Sequence, residues 1–467
     1  MGQSRKMLKA GRQGTNLCHF AVQILLTLKK LKSNTMFLKF LLVPISVILL
    51  GANCSAQKQK TKIKSGDEKV KIKSDTPSPS SIITGAERLN LYVPLLKGKR
   101  VAVFANHTAI VGKTHLVDTL LKLGVNVKVA FGPEHGFRGN APDGAKIETT
   151  VDKATGIPIV SLYGQKNKPS KEDLKDIDVM IYDIQDVGTR FYTFISSLQL
   201  YMEAALENGI PLLILDRPNP NGFYVDGPVL QPKFKSFVGM QPIPVVYGMT
   251  IGEYAMMLGG EKWLSEKANS RMDYYKTAQN SPDTPFHFLV IKCTKYTHNS
   301  KYALPVKPSP NIPEIQSVYW YPSICFFEGT VISEGRGTEK PFEYFGHPSL
   351  PKNMFSFTPH SNEGAPSPKY KGQVCYGWNV SGTPEQVLKM VDGRLQLKYL
   401  LEAYRLFPDK ENFFKKDNGF NRLAGTDELM KQIKEGKTEA QIRASWEPEL
   451  NAFKKIRKKY LLYSDFE

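Results

Sequence analysis

Four short polar segments hold most of the side chains in this sequence that could do acid–base or anion-binding chemistry. They are Asn106-His107-Thr108, Gly132-Pro133-Glu134-His135-Gly136-Phe137-Arg138-Gly139, Asp183-Ile184-Gln185-Asp186-Val187-Gly188-Thr189-Arg190 and Asp216-Arg217-Pro218-Asn219-Pro220-Asn221-Gly222. A fifth, Ser333-Glu334-Gly335-Arg336-Gly337-Thr338-Glu339-Lys340-Pro341-Phe342, repeats the texture further along. In the second segment, glycines and a proline frame one carboxyl, one imidazole and one guanidinium. Glycine permits a tight turn and proline stiffens it, so Glu134 is well placed for proton transfer. An ordinary turn with Glu134 in water is the alternative on that segment alone. Asp186 with Arg190, Asp216 before Arg217, and Glu334 with Arg336 each have a structural alternative: a helix-end pair, an Asx turn and a loop-stiffening ion pair.

Other chemistries lack their signatures. Ser196 and Ser197 fall inside a helical pattern, not on a G-x-S-x-G elbow. Asp183, Asp186, His107 and His135 could ligate a metal, but no H-x-x-x-H or H-E-x-x-H spacing groups them; no metal and no cofactor is expected. No strand leads into G-x-G-x-x-G, and no G-x-x-x-x-G-K-[ST] loop appears. Carboxyls beside aromatic rings and amides suit carbohydrate. A glycosidase needs one carboxylic acid for the leaving oxygen and usually a second carboxylate.

The elements that position these segments are regular. Arg100–Ala105, Val125–Phe131, Asp178–Tyr182 and Pro211–Leu215 are continuous apolar runs that read as strands. Between them, His115–Lys122 has helical spacing, and Phe191, Phe194, Ile195, Leu198, Met202, Ala205 and Leu206 form one helical face. Apolar strands alternating with helices predict an α/β fold, a parallel sheet covered on both faces. Each strand delivers its polar segment at the same edge, where such sheets bind ligands.

From about Gly239 the strands shorten (Ile243–Tyr247, Phe288–Lys292, Ser323–Glu328, Val374–Val380) between irregular loops. Thr250 with Glu253 and Thr438 with Gln441 read as capping boxes. Leu450, Phe453, Ile456 and Tyr460 form a stripe that should pack on the body. The expected organisation is an N-terminal extension with signal peptide (1–56), a disordered linker (57–83), an α/β domain (84–238) and a smaller α+β C-terminal domain (239–467) that completes the cleft.

Composition agrees with a globular body. The chain has 467 residues, 41% hydrophobic and 23% charged, with a formal net charge of +19. Residues 1–56 contribute eight Lys/Arg and no Asp/Glu, which leaves +11 for the rest. No basic stripe with interleaved aromatics appears, so nucleic acid is not an expected partner. Lys39, the apolar run 40–50 and Cys54-Ser55-Ala56 have the three parts of a secretory signal, with Met36 as the expected start. The apolar run is too short for a comfortable span, so no membrane segment is expected after cleavage. A periplasmic or secreted protein follows; lipid anchoring through Cys54 ranks second, because Asn53 is larger than usual there. Cys293, Cys325 and Cys375 remain, an odd set that argues against disulfides and zinc.

Several motifs together resemble one family. Gly132-Pro133-Glu134-His135-Gly136, Ser161-Leu162-Tyr163-Gly164, Asp183 to Thr193, Leu215-Asp216-Arg217-Pro218-Asn219-Pro220, Pro308-Ser309-Pro310-Asn311-Ile312-Pro313 and Ser333 to Thr338 look like the NamZ-like exo-β-N-acetylmuramidases, formerly a domain of unknown function. The resemblance runs from about Thr84 to the end of the sequence. It implies a Rossmann-like domain joined to a smaller one, with the cleft between them. It also implies an exo-acting glycosidase that releases N-acetylmuramic acid from the non-reducing ends of peptidoglycan fragments, disaccharides or muropeptides. By similarity Glu134 matches the family's proposed catalytic glutamate, here expected as a general acid kept protonated by partial burial. Asp186, Asp183, Glu334 or the substrate's acetamido oxygen could fill the second role. The lactyl carboxylate calls for a bidentate arginine, with Arg336, Arg190 and Arg138 as candidates. Asn106, His107, Asp183, Gln185, Asp216, Arg217, Asn219 and Asn311 are further binding candidates, and His135 a supporting hydrogen-bonder. A non-catalytic muropeptide-binding protein is the alternative from another class; an acyl hydrolase lacks its nucleophile.

Overall fold

A computed structural model describes residues 81–134, 136–139 and 150–467. The expected signal segment, the linker up to residue 80, Cys54 and His135 lie outside the described residues. The apolar runs of the first half pair side by side into one sheet. Its strands are β1 (Arg100–Ala105), β4 (Asn126–Gly132), β5 (Thr150–Val151), β6 (Pro158–Ser161), β7 (Val179–Asp183), β8 (Leu212–Leu215) and β9 (Phe288–Ile291); β2 (Ile110–Val111) and β3 (Thr114–His115) form a separate hairpin. The sheet order is β5-β6-β4-β1-β7-β8-β9, parallel throughout except for the edge strand β5. Numbered by their own succession, the six parallel strands run 3-2-1-4-5-6, the Rossmann order. The chain leaves β1 toward β4 and β6, then returns to add β7 on the other side. Ligands bind where that order reverses, beyond the carboxyl ends of β1 and β7.

Side-chain alternation explains why this sheet is covered twice. Ala102 and Phe104, Met180 and Tyr182, and Leu212 and Ile214 face one core with the helix Phe194–Asn208. Val101 and Val103, Val179 and Ile181, and Leu213 and Leu215 face another, with the helix Leu116–Lys122. Each such aliphatic side chain contributes about 1.5–3 kcal/mol on burial. A one-residue slip would exchange the two faces, so the double burial also fixes the register.

The sixth parallel strand comes from Phe288–Ile291, well past residue 238. Further on, β10 (Tyr344–His347), β11 (Phe355–Phe357) and β12 (Cys375–Asn379) form an antiparallel sheet in the order β10-β12-β11. Helices pack against it, and Trp320 Nε1 donates to the Val380 carbonyl at 3.0 Å. The expected strand Ser323–Glu328 is instead helical: Ile315–Ile324 is α-helix and Cys325–Gly329 continues as a 3₁₀ turn. Its residues are apolar on nearly every side and buried, and periodicity alone does not separate a short apolar strand from a buried helix. Ile243–Tyr247 makes only isolated bridges, from Val246 to Thr189 and Asp226.

Both capping boxes form, at Thr250–Glu253 and Thr438–Gln441. The helix Glu439–Lys458 buries Leu450 and Phe453. From its last turn on, residues 457–465 fold back toward the sheet. Arg457 donates to the Gly248 carbonyl at 2.9 and 2.8 Å, and the Tyr463 hydroxyl donates to Asp216 Oδ2 at 2.6 Å. Among the described residues, no helix is long and apolar enough to cross a membrane.

Candidate active site

Strand β4 ends at Gly132, and Pro133 turns the chain so that Glu134 stands half-buried beyond the sheet edge. The turn is held by its neighbours. Gly139 adopts φ +73°, and a Cβ there would lie 2.0 Å from the His107 ring, so no other residue fits. His107 Nε2 in turn lies 2.8 Å from the Lys307 carbonyl, which ties the β1 loop to the proline-rich segment. Tyr163, just past β6, donates its hydroxyl to Glu134 Oε1 at 2.7 Å.

Glu134 opens onto a recess of about 60 Å³ shared with Tyr192, Thr193, Ser309, Asn311, Tyr321 and Arg336. Tyr192 is anchored by its hydroxyl on the Pro308 carbonyl at 2.8 Å and lies edge-on to Tyr321 at 5.9 Å. Asn311 Nδ2 donates to the Gly364 carbonyl at 2.8 Å. Arg336 lies over the Phe342 ring, with its guanidinium carbon 5.4 Å from the centroid. It pairs with Glu328 at 2.7 Å and with Glu334 at 3.3 Å.

Behind Arg336, Glu334 is buried between two cations, with Lys369 Nζ at 2.8 Å. Burial alone would raise the Glu334 carboxyl, but the charges of Lys369 and Arg336 outweigh it and hold the group below the usual carboxylate range. Lys369 also donates to the carbonyls of Phe327, Thr330 and Ile332 at 2.9, 3.2 and 2.9 Å. The loop carrying Arg336 is thereby clamped from below.

The other expected residues are committed elsewhere. Arg138 is bidentate to both Asp118 and Asp152. Arg190 is fully buried and donates to the carbonyls of Pro228, Ile243 and Leu423 at 2.8, 2.7 and 2.8 Å. With no carboxylate beside it, burial lowers that guanidinium to about 9. Asp183 and Arg217 form a bidentate pair at 2.6 and 2.8 Å, almost without exposure, and Arg217 also donates to the Ile110 carbonyl. Asp216 accepts from Thr250, Gly252 and Tyr463, so it joins β8 to the next helix; burial pushes its carboxyl up to about 6.

Asp186 accepts from the Gly188 amide at 2.6 Å and from the Tyr247 hydroxyl. Its burial pushes the carboxyl up to about 7, and its Oδ1 has no hydrogen-bond partner among the described residues. It does not line the recess. Gln185 donates to the carbonyls of Asp186 and Pro218, Asn219 to that of Met249, and Asn106 Oδ1 accepts from Thr108. Gly188, at φ +75°, leaves room for the Asn219 side chain, since a Cβ would lie 2.2 Å from its Oδ1. These groups stitch the loops after β1, β7 and β8 into one buried polar layer beneath the cleft.

Of the expected side chains, then, Glu134, Asn311 and Arg336 meet at one recess, with Glu334 directly behind. Tyr163, Tyr192, Thr193, Ser309, Tyr321 and Lys369 were not among the expected site residues. Tyr163, Tyr192, Thr193 and Ser309 stand inside motifs quoted above, which was their signal; Tyr321 and Lys369 had none. A second, apolar cavity of about 630 Å³ lies beside β9, lined by Met256, Met272, Phe286 and Leu289 among others, with no carboxyl on its walls. Among the described residues no group of His, Cys, Asp and Glu side chains is arranged to hold a metal ion.

Known proteins resemble this chain in sequence and fold over most of its length. Residues 101–316 match the N-terminal family model of the exo-β-N-acetylmuramidase NamZ, and residues 319–463 match its C-terminal model. The peptidoglycan β-N-acetylmuramidase NamZ of Bacillus subtilis is 36% identical over 413 residues, which cover 84% of this chain and 94% of that protein. Crystal structures of two DUF1343 family proteins from Bacteroides fragilis superpose with TM-scores of 0.72 and 0.68, at 45% and 29% identity. Each match covers 83% of this chain and 100% of the other. With both halves matched in order and the fold shared, the chain belongs to the exo-β-N-acetylmuramidase NamZ family.

Proposed function

We propose that this protein is an exo-acting glycosidase that releases N-acetylmuramic acid from the non-reducing ends of peptidoglycan fragments, with Glu134 as general acid. One observation carries the reading: a half-buried carboxyl at the end of a central strand shares a recess with an arginine. The Bacillus relative is named for hydrolysis of this bond in peptidoglycan.

Protonation of the glycosidic oxygen by Glu134 lets the leaving sugar depart as an alcohol. Arg336 receives the lactyl carboxylate. An apolar cavity of about 150 Å³ admits benzene, so a recess of about 60 Å³ takes a substituent of the sugar and not its ring. Among the described residues Glu134 is the one carboxyl on the recess wall. Asp183, Asp186 and Glu334 are each held by other groups. That favours the substrate's own acetamido oxygen for the second role, an exception the two-carboxylate scheme admits. The signal-like segment 36–56 supports a site of action outside the cytoplasm, which cell fractionation tests.

Glu134→Gln keeps the shape and the Tyr163 contact but removes the acid. It should abolish release of a chromophore from a β-N-acetylmuramide with an unchanged circular dichroism spectrum. Normal turnover in that variant would sink the assignment. Binding of a muropeptide by the wild-type protein without any hydrolysis would favour a non-catalytic muropeptide-binding protein.

A further inference from the structure

The loop that carries Arg336 has a second wall. Its next residues, Thr338 and Glu339, line a cavity of about 500 Å³ whose other sides include Tyr344, Phe357, His360 and Asn362. The two spaces adjoin along one loop. Arg336 lines the recess and Gly337 the cavity, while Asn311 of the recess holds the carbonyl of Gly364, which follows the cavity residues His360, Ser361 and Asn362 closely in the chain. The His360 amide donates to the Gly337 carbonyl at 2.8 Å.

The lining has two kinds of surface. Tyr344 and Phe357 form an aromatic platform on the small sheet, with centroids 6.1 Å apart. Around it stand the exposed imidazole of His360, the exposed carboxylate of Glu339 and the amide of Asn362. A pyranose matches this pattern: its axial C–H faces are apolar and stack on rings, and its equatorial hydroxyls seek donors and acceptors at the edge. The volume is several times the roughly 150 Å³ that admits a benzene ring, so the cavity takes a whole sugar where the recess takes only a substituent.

We propose that this cavity is the aglycone subsite, which binds the N-acetylated hexose on the leaving side of the scissile bond; this rests on the muramidase reading of the Glu134 recess. The Glu339 carboxylate on its wall disfavours an acidic stem peptide in the same place. The subsite gives the enzyme grip on the glycan it shortens, whereas the recess recognises the sugar it removes.

The test compares two substrates that share the muramyl group. One is the disaccharide N-acetylmuramyl-β-N-acetylglucosamine; the other is β-N-acetylmuramyl fluoride, whose leaving group is a single atom. In Tyr344→Ala and His360→Ala, both changes at residues that line the cavity, the ratio of kcat/KM for disaccharide over fluoride should fall by about tenfold, mainly through KM. The fall should be the same for a disaccharide that carries its stem peptide. An unchanged ratio in both variants overturns the subsite. A fall confined to peptide-bearing substrates overturns it in favour of a peptide groove. If the wild-type protein hydrolyses neither substrate, the muramidase reading itself fails and the subsite with it.

Discussion

The hydroxyl of Tyr163 and the carboxyl of Glu134 meet at 2.7 Å from the ends of two adjacent parallel strands, β6 and β4. The contact orients the acid without touching the sugar recess itself. Tyr163→Phe keeps the ring and removes this hydrogen bond to Glu134. We expect kcat to fall about tenfold with KM little changed, the pattern of an interaction that serves the transition state. Steady-state kinetics on a chromogenic muramide check it, and a fall in affinity alone would contradict it.

Arg336 should act on selectivity. Loss of a charge-assisted contact to a carboxylate costs about 1.5–3 kcal/mol. In Arg336→Ala, preference for a β-N-acetylmuramide over the matching glucosaminide, which lacks the lactyl group, should fall by roughly ten- to a hundredfold. Arg336→Lys should recover part of it. Equal losses on both glycosides would assign Arg336 to support of Glu334 alone.

Asp183→Asn leaves the Arg217 guanidinium buried without its counter-charge. Breaking a buried pair from one side costs about 3–5 kcal/mol, so the urea midpoint should drop clearly while the slope stays the same. The double change Asp183→Asn with Arg217→Met should recover much of the loss.

Much of the framework behind that pair can be read from the sequence. Continuous apolar runs specify parallel strands, and the polar segments that follow β1, β4, β7 and β8 reach one edge because parallel strands share a direction. The sequence did not reveal which polar residues support and which face the cleft. Arg138, Arg190 and Arg336 look alike as letters; Arg138 and Arg336 each pair with two carboxylates and Arg190 with three buried carbonyls, and of the three it is Arg336 that lines the recess. Lys369 is one lysine among many until the fold brings it under Glu334. The helix Ile315–Ile324 read partly as a strand because burial on all sides erases the period that distinguishes the two.

Buried Asp186 gives a pH signature. Its folded-state value, about 7, lies above the ordinary 3.8. The native state therefore holds this proton more tightly than the unfolded chain. Its contribution is fully present below about pH 4 and lost as pH rises toward 7. Asp186→Asn removes that titration. The stability of wild type relative to Asp186→Asn should decline between pH 4 and 7, by at most about 4 kcal/mol, and level off above. Denaturant titrations at a series of pH values check it; a difference that grows with pH would reverse the sign.

The bond from Tyr463 to Asp216 spans 247 residues. Asp216 closes the end of β8, so a central strand of the sheet is not finished until residue 463 has been made. A chain emerging from the ribosome therefore lacks this tie at the end of β8 until its last residues are made.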